Sequence, residues 1–469
     1  MCGPNPLRAA VSIVEHMHNA ATSAKQRAPT GLECAKAAAE ELNLEQKYND
    51  LTIQFIGASD LPKMDVVGWA DPYFHANLDQ KLSFVHVIHS TFLQPNTNAP
   101  VWNEVWKVKN VPSTACLKVV VRDKDDGSMV DDYIGSFETT VSSGTKEVEI
   151  VSAVLKRNKG TFWLKIESSP SADDAQSHPY LFDGPIRYSR HSSPTAGALT
   201  NLKDTRLYST WKIYIKGIPL FFGDRMQPWN RKYKAAQAIF QGPTSIAVRA
   251  GIQAGHRMLY ARTASNGFGT IITPDDVFNL LQGGSLRSAV DVDSQSYAHR
   301  VKPAVYTYII ANEDQSFRFS ETGAAFFVDF ASKHALHSNC AESVRYSGEF
   351  HPRPTGGWEN FSDDIPDREA GWELVIDNNS GTYSPDPSLL PDLKALLEYN
   401  FPGFTVVALD HDDPELKKST DACREYALTK RGVKENELQP HASIGEETLW
   451  HQASSKRPKC VAAAVVHPN

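Results

Sequence analysis

The chain has 469 residues, a length that predicts about two to four domains at roughly 150 residues per domain. Apolar residues make up 41% and charged residues 22% of the sequence, as is typical of soluble globular proteins. The formal net charge of −7 argues against nucleic-acid binding through overall basicity, so no nucleic-acid partner is predicted.

The cysteines and the amino-terminal sequence indicate the compartment. Six cysteines are scattered without CxxC spacing, which predicts free thiols in a reducing cytoplasm rather than zinc sites. No basic region followed by an apolar stretch comes after Met1, so no signal peptide is predicted. No apolar run is long enough to cross a bilayer, and membrane association is therefore expected to be peripheral.

The chain begins with a predicted helical segment and continues into a region of short strands. Residues 7–46 are rich in Ala, Glu and Leu and predict one or two helices within an amino-terminal segment of residues 1–49. Residues 50–168 show alternating apolar and polar positions in eight short segments, which predict an antiparallel β-sandwich. The segments begin at Leu51, Pro72, Leu82, Val101, Cys116, Tyr133, Lys146 and Thr161.

Two aspartate-rich segments separate these strands, at residues 59–73 and 122–135, and both can project from the same end of a sandwich. Calcium takes about six to eight oxygen ligands, and carboxylates supply them well. Crowded carboxylates repel one another unless a cation lies between them. The pattern therefore predicts a metal site.

These segments resemble the C2 domain family in three motifs that occur in the expected order. The matches are to the first calcium loop, the fourth-strand signature with one extra residue before its proline, and the third calcium loop. They are Leu61-Pro-Lys-Met-Asp65 with Asp71-Pro-Tyr73, Asn98-Ala-Pro-Val-Trp102-Asn-Glu104, and Asp123-x-Asp125-x5-Asp131 with Tyr133-Ile-Gly135.

The resemblance covers about a quarter of the chain and implies a C2 sandwich of the permuted, second topology, since the strand before the first calcium loop comes first. A sandwich that has lost calcium binding is the alternative. Asp60, Asp126 and Asp132 are interpreted as turn, capping or solubility residues. The resemblance implies calcium as cofactor, with five ligands: Asp65, Asp71, Asp123, Asp125 and Asp131.

Apolar side chains at the loop tips predict insertion into a membrane surface, where Trp in particular is favourable. Calcium would reverse the negative charge of the loops and couple metal binding to anionic phospholipid. Packing of Met64 and Trp69 into their own loop is the alternative. Lys81, His86 and His89 form a weak basic patch, so strong phosphoinositide selectivity is not predicted. The predicted inserting residues are Met64, Val66, Val67, Trp69, Met129 and Val130.

Residues 169–205 are rich in Ser, Pro and Asp and predict a linker, which Tyr180-Leu-Phe and Ile186-Arg-Tyr would hold against a surface. Residues 206–453 predict an α+β domain, and residues 454–469 a disordered tail. Within the domain, strands are predicted at 208–215, 304–311, 317–320, 344–351, 372–377 and 404–410, and helices at 273–281, 324–337, 389–399 and 415–430.

The predicted α+β domain contains none of the motifs of serine hydrolases, phosphate-binding loops, zinc proteases or kinases. The catalytic or metal-binding candidates are His337, Glu349, His351 and Asp410. Since their spacing matches no known ligand pattern, ordinary polar roles at helix and strand ends are the favoured interpretation.

Three short stretches also resemble a pattern in plant IQ-motif proteins and their bacterial relatives. The stretches are His337-Ser338, Ser347-Gly-Glu349 and Ser380-Gly-Thr-Tyr383-Ser-Pro385, with Thr382 in place of the family's histidine. The resemblance covers about fifty residues, at 333–385, and implies shared architecture rather than a defined activity.

The sequence as a whole predicts a peripheral membrane protein that binds anionic phospholipid when calcium rises. Its carboxy-terminal domain is expected to bind a protein partner or give a regulatory output, and a non-enzymatic role is favoured. The alternative is a membrane-recruited enzyme with a site around His337, Glu349 and His351.

Overall fold

A computed structural model describes most of the chain, in segments separated by short gaps. The helices predicted over 7–46 and the tail predicted over 454–469 lie outside the described residues. The described segments are 47–64, 71–86, 97–123, 132–153, 157–172, 175–192, 209–260, 266–282, 299–322, 332–433 and 435–438.

Eight antiparallel strands lie between residues 48 and 170, and each of the eight predicted segments is found. Alternating apolar residues produce them, because successive side chains of a strand point to opposite faces. Their bounds are β1 (Tyr48–Ser59), β2 (Pro72–Leu78), β3 (Leu82–Val85), β4 (Val101–Pro112), β5 (Cys116–Asp123), β6 (Asp132–Thr140), β7 (Gly144–Val151) and β8 (Asn158–Pro170).

The strands follow the order β3-β2-β5-β6-β7-β8-β1-β4, and the step from β6 to β7 is a single residue pair, Ser136 with Val151. Rings from the two halves of this order meet in the core, where the centroids of Phe55 on β1 and Phe74 on β2 are 4.6 Å apart. Burial of each such side chain contributes about 1.5–3 kcal/mol. The two halves therefore face each other as the layers of a β-sandwich.

The stretch predicted as a linker is structured over residues 175–192, at the two places expected to touch a surface. β9 (Leu181–Gly184) pairs with β4, and Phe182 enters the core of the sandwich. β10 (Arg187–Ser192) follows within three residues and joins a second sheet. The linker prediction missed both strands, because Ser- and Pro-rich composition hides short strands that gain their stability from tertiary pairing.

The second sheet has eight strands in the order β13-β10-β11-β15-β14-β17-β18-β19. Every pairing is antiparallel except that of β18 with β19. The strands predicted at 304–311 and 317–320 pair with each other as the hairpin of Tyr306–Ile310 and Ser316–Glu321. Besides β10, the strands of the second sheet are β11 (Ser209–Tyr214), β13 (Gly267–Thr270), β14 (Tyr306–Ile310), β15 (Ser316–Glu321), β17 (Tyr346–Pro354), β18 (Trp372–Asp377) and β19 (Phe404–Leu409). A separate two-stranded sheet contains β12 (Gln227–Pro228) and β16 (Ser343–Val344).

Helices accompany the second sheet, and three of the four predicted ones have nearly the predicted bounds. Thr273 caps the helix at Pro274–Leu281 through a capping box with Asp276. Only 332–337 of the helix predicted at 324–337 is described. The helices are α1 (Ile218–Phe222), α2 (Lys234–Phe240), α3 (Ser245–Leu259), α4 (Pro274–Leu281), α5 (Lys333–His337), α6 (Asp367–Ala370), α7 (Leu390–Asn400), α8 (Pro414–Lys430) and α9 (Glu435–Leu438).

The two faces of the second sheet differ in chemistry. One face is an aromatic core in which Tyr306 and Phe350 stack with centroids 4.9 Å apart. Alternate residues of the same strands carry polar groups that are nevertheless buried, among them Arg318 and Ser320 on β15. The C-terminal region therefore contains a buried polar layer that needs internal partners.

Candidate calcium site and polar face of the C-terminal sheet

The two aspartate-rich loops leave the sandwich at the same end. Asp123, the last residue of β5, is paired with both Pro72, the first residue of β2, and Asp132, the first residue of β6. The first loop ends at Pro72, and the third loop runs from Asp123 to Asp132. Strand register thus places the two loops side by side, as the sequence predicts.

A hydrogen bond joins the bases of these loops. The backbone N–H of Asp71 donates to Oδ1 of Asp123 over 2.6 Å. The Asp123 side chain is fully buried, whereas Asp71 is half-buried. Charge-assisted hydrogen bonds of this kind are short and strong. The bond therefore holds the side chain of Asp123 against the backbone of Asp71, and both residues are predicted calcium ligands.

The chemistry of the two described residues suits a hard cation such as calcium, because both are aspartates and a hydrogen bond joins the bases of their two loops. Three further predicted ligands, Asp65, Asp125 and Asp131, lie outside the described residues.

The aspartates assigned to other roles also have distinct settings where they are described. Asp60 is exposed, has a φ of 55° and accepts a hydrogen bond from Ser59, which suits a turn residue. Asp132 is exposed at the start of β6. Asp126 lies outside the described residues.

Of the apolar residues predicted at the loop tips, only Met64 is described, and it is half-buried against the core of the sandwich. The alternative predicted for Met64 is packing into its own loop, and the described contact is with the core of the sandwich instead. The other five, Val66, Val67, Trp69, Met129 and Val130, lie outside the described residues.

Trp102 supports the base of the first loop. Its indole Nε1 donates to the carbonyl oxygen of Pro72 over 3.3 Å, and its ring centroid is 4.9 Å from that of Phe74. Since Pro72 directly follows Asp71, the tryptophan positions the backbone next to a predicted ligand.

The weak basic patch predicted at Lys81, His86 and His89 is weaker still in the structure. His86 is buried, and its Nδ1 lies 3.0 Å from Oε1 of Glu104. Lys81 is exposed, and His89 lies outside the described residues. His86 therefore has an internal role rather than a surface one.

The four candidates in the C-terminal region have separate hydrogen-bond partners. His337 is bonded through Nε2 to Ser320 and through Nδ1 to Tyr260, each over 2.8 Å. His351 is bonded through Nε2 to Ser419 on α8 over 2.8 Å.

Glu349 accepts hydrogen bonds from Thr322 over 3.1 Å and from Asn379 over 3.3 Å. Asp410 accepts one from the side chain of Asn378 over 3.0 Å. The described contacts thus place Glu349 and Asp410 near the end of β18, whereas His337 and His351 belong to other parts of the polar face.

Burial lowers the basicity of the histidines on this face. The pKa of His351 falls to about 3 and that of His334 to about 4, mainly because burial disfavours the charged ring. Burial likewise holds the pKa of His337 well below its usual range. These rings are therefore neutral hydrogen-bonding groups at physiological pH.

Asp377, at the end of β18, is the titratable residue that the sequence analysis missed. Its Oδ1 accepts the N–H groups of Glu349 over 2.7 Å and of Asn379 over 2.8 Å. Burial, reinforced by the nearby Glu349 carboxylate, raises the pKa of Asp377 to about 7. A carboxyl group poised near neutrality is typical of functional sites, although structural networks also produce such shifts.

The three stretches that resemble the IQ-motif pattern come together in the structure. Ser338 Oγ lies 2.6 Å from the hydroxyl of Tyr383. The ring Nε2 of His334 lies 3.0 Å from the carbonyl oxygen of Gly348. The contacts show that the turn at 380–385 and strand β17 both pack against α5.

Two further observations concern metals and membranes. Within the described segments, Asp410, His411 and Asp412 are grouped so that one ligand atom of each lies within 4.8 Å of the others, in an exposed loop. No helix among the residues that the structure covers is both long and apolar enough to cross a bilayer.

Comparison with known proteins identifies the sandwich. The family model described as "C2 domain" matches residues 49–164. Residues 49–164 are therefore a C2 domain, so the predicted β-sandwich and the resemblance of the aspartate motifs to the C2 family are both confirmed.

Two relatives from Arabidopsis thaliana share sequence with the chain. "Multiple C2 domain and transmembrane region protein 6" is 25% identical over 236 residues, which is 47% of this chain and 20% of that protein. "Multiple C2 domain and transmembrane region protein 8" is 32% identical over 101 residues, which is 21% of this chain and 10% of that protein. The chain thus spans only about a fifth and a tenth of the lengths of these relatives.

Solved structures of C2-containing proteins are similar to part of the chain. The C2A domain of plant Extended Synaptotagmin 1 has a TM-score of 0.24 and 18% identity, over 28% of this chain and 100% of that one. The C2A- and C2B-domains of Extended-Synaptotagmin 2 have a TM-score of 0.22 and 19% identity, over 32% and 55% of the two chains.

Proposed function

We propose that the C2 domain binds calcium and docks on anionic phospholipid membranes, and that this binding recruits the protein. The observation that carries the proposal is the 2.6 Å hydrogen bond from the Asp71 backbone to the Asp123 carboxylate. It ties the two aspartate loops together at one end of the sandwich. The proposed ligands are Asp65, Asp71, Asp123, Asp125 and Asp131.

Charge and polarity explain why calcium and lipid would bind together. The loops repel an anionic membrane surface while their carboxylates are unscreened. Bound calcium supplies positive charge and open coordination positions that lipid phosphate or carboxylate groups can fill. We propose that Val66, Val67, Trp69, Met129 and Val130 then enter the headgroup region, while the core contact of Met64 favours an anchoring role.

The strand connections support the permuted C2 topology. The first loop joins β1 to β2, and the third loop joins β5 to β6, so the first described strand is the one that leads into the first calcium loop. We propose a C2 domain at 50–168 and an α+β domain at 206–453, preceded by the segment 1–49 and followed by the tail 454–469. The connection at 169–205 would then be partly structured, since β9 and β10 lie within it.

The relatives favour a membrane-associated role, since the names of both include a transmembrane region. We propose that this protein lies in the cytoplasm and associates peripherally with membranes when calcium rises. Its C-terminal region would then bind a protein partner or give a regulatory output at the membrane surface.

A second candidate function is a membrane-recruited enzyme, and Asp377 is the observation that favours it. Its buried carboxyl group, with a pKa of about 7, lies beside Glu349 at the end of β18. General acid–base catalysis needs a group that titrates near the working pH. The candidate site shifts from His337 and His351 towards Glu349 and Asp377.

Co-sedimentation of the full chain with phosphatidylserine vesicles tests the calcium proposal. We expect binding with calcium and its loss in chelator, and the double variant Asp123→Asn with Asp125→Asn should abolish the calcium-dependent fraction. Asp60→Asn is the matched control, because Asp60 is an exposed aspartate outside the ligand set. Calcium-dependent binding that survives in the double variant would show the ligand assignment to be wrong.

A further inference from the structure

One buried guanidinium joins the C2 domain to the second sheet. Arg187, the first residue of β10, is only 4% exposed. Its Nη1 donates to the carbonyl oxygen of Val85 over 2.9 Å and lies 3.7 Å from Oε2 of Glu104. Both partners belong to the C2 domain, at the end of β3 and on β4.

The same guanidinium lies between rings from both regions. Its Cζ is 3.8 Å from the ring centroid of Phe84 on β3 and 5.0 Å from that of Tyr214 on β11. Tyr214 is paired with Arg187 in the second sheet, yet packs with the C2 core. Arginine suits this position because its planar group stacks on rings while it donates in its own plane.

Contacts lead from Arg187 to the first calcium loop. Glu104 is bonded to His86, whose ring centroid lies 5.4 Å from that of Phe74 and 5.9 Å from that of Trp102. Trp102 in turn donates to the carbonyl oxygen of Pro72, next to the proposed ligand Asp71. Each step is a packed or hydrogen-bonded contact between buried or half-buried groups.

We propose that Arg187 couples calcium binding at the C2 loops to the C-terminal region through Glu104, His86 and Trp102. The inference rests on the proposed calcium function. When Asp71 binds calcium, the neighbouring Pro72 carbonyl is held in place. This favours the positions of Trp102 and Glu104 in which Glu104 contacts Arg187. By linkage, a seated Arg187 favours calcium binding to the same degree.

The consequence is that the C-terminal region senses calcium through Arg187, although the five proposed ligands all belong to the C2 domain. An arginine that is correctly seated keeps the base of the first loop organised. Without that contact, the first loop becomes ordered only when calcium binds. The free energy needed to order the loop then weakens calcium binding.

Calorimetric titration of the full chain with calcium tests the coupling in two variants. Arg187→Lys keeps the charge but loses the planar fork, and Glu104→Gln keeps the shape of its partner but removes the charge. Each should weaken calcium binding by about 2- to 30-fold, the range for residues that modulate coupling between sites. If Arg187→Lys does not fold, Glu104→Gln decides the matter.

Arg190→Lys is the matched control, because Arg190 lies on the same strand but donates to Ser209 and lies 5.3 Å from the ring of Trp211 in the second sheet. Its calcium affinity should stay within about twofold of the wild type. Amide hydrogen exchange gives a second measurement: calcium should slow exchange in β10 and β11 of the wild type and of Arg190→Lys, but not in the two test variants.

The outcomes separate this inference from the calcium proposal. A wild-type chain that binds no calcium overturns both. A wild type that binds calcium, with test variants that match it in affinity and in calcium-dependent exchange, overturns the coupling alone.

Discussion

The C2 domain and the C-terminal region both rely on antiparallel sheets but place their charged groups differently. The C2 domain carries its proposed ligands on or directly beside the loops at one end of the sandwich, and its described core is mostly apolar apart from buried groups such as His86, Glu104 and Asp123. The C-terminal region buries charged and polar side chains on one face of its sheet, among them Arg318, His337 and Asp377. A loop site can change with little effect on the fold, whereas each charge on the buried face affects stability and any chemistry together.

The largest expected effect concerns Asp377. Because its pKa is raised from 3.8 to about 7, the folded protein holds this proton more tightly than the unfolded chain does. Its contribution to stability is therefore present below about pH 4 and is lost as the pH rises towards 7. Asp377→Asn should raise the free energy of unfolding at pH 8 by up to about 4 kcal/mol, and much less at pH 4, in urea titrations.

Asp412→Asn is the control for that measurement, since the Asp412 side chain is 88% exposed. The control should change stability by less than about 0.5 kcal/mol. If Asp377→Asn lowered the free energy of unfolding at pH 8, the charged form of Asp377 would stabilise the sheet. The proposed cost of burying charge in the C-terminal region would then be wrong for this residue.

The next effect concerns Gly348 on β17. A Cβ atom at this position would lie 2.1 Å from the carbonyl oxygen and 2.9 Å from Oδ1 of Asp377. Gly348→Ala should lower the free energy of unfolding by about 3 kcal/mol, because backbone would have to move.

Gly251→Ala is the matched variant for Gly348→Ala. Gly251 lies on an exposed face of α3, with no atom within 4 Å of an added Cβ. Alanine favours the helix there, so stability should rise by about 0.5–1 kcal/mol. Equal losses in both variants would contradict the close approach of Asp377 to β17.

The smallest effect concerns His334. Its pKa is lowered from 6.5 to about 4, so the unfolded chain binds this proton first as the pH falls. The contribution of neutral His334 to the free energy of unfolding is complete above about pH 6.5 and is lost as the pH falls below that value. The loss amounts to about 2 kcal/mol between pH 7.5 and pH 5. His334→Gln can still donate to Gly348 and should reduce the acid-induced loss of stability by about that amount. An unchanged pH dependence would indicate that His334 is accessible to protons in the folded protein.

The C2 domain could be predicted from sequence in detail, for a physical reason. Its strands have one face in the core and one towards solvent, so burial alternates along β5, with Leu117, Val119 and Val121 buried and the residues between them partly exposed. The aspartate motifs then specify which loops meet. The calcium ligands remain predictions, and of these only Asp71 and Asp123 have described positions.

The C-terminal sheet was predicted less completely because its central strands are buried on both faces. All residues of β14 and β15 are buried. The alternation of polar and apolar residues in these strands therefore does not predict which side chains face solvent. Helix α3 was missed, since its sequence includes Gly251 and Gly255, which lower helix propensity. The sequence marks Asp377 only as the end of a strand, because its burial depends on the neighbouring strands β14 and β17, which contact it through Tyr308 and Glu349.

Strand β9 has a consequence for solubility. It covers the hydrogen-bonding edge of β4, while the opposite edge of the sandwich is the four-residue strand β3. Bare, long edge strands promote pairing between molecules, and short or covered ones prevent it. A C2 domain cut off after residue 170 would lose this cover, so we expect the fragment to self-associate where the full chain stays dispersed.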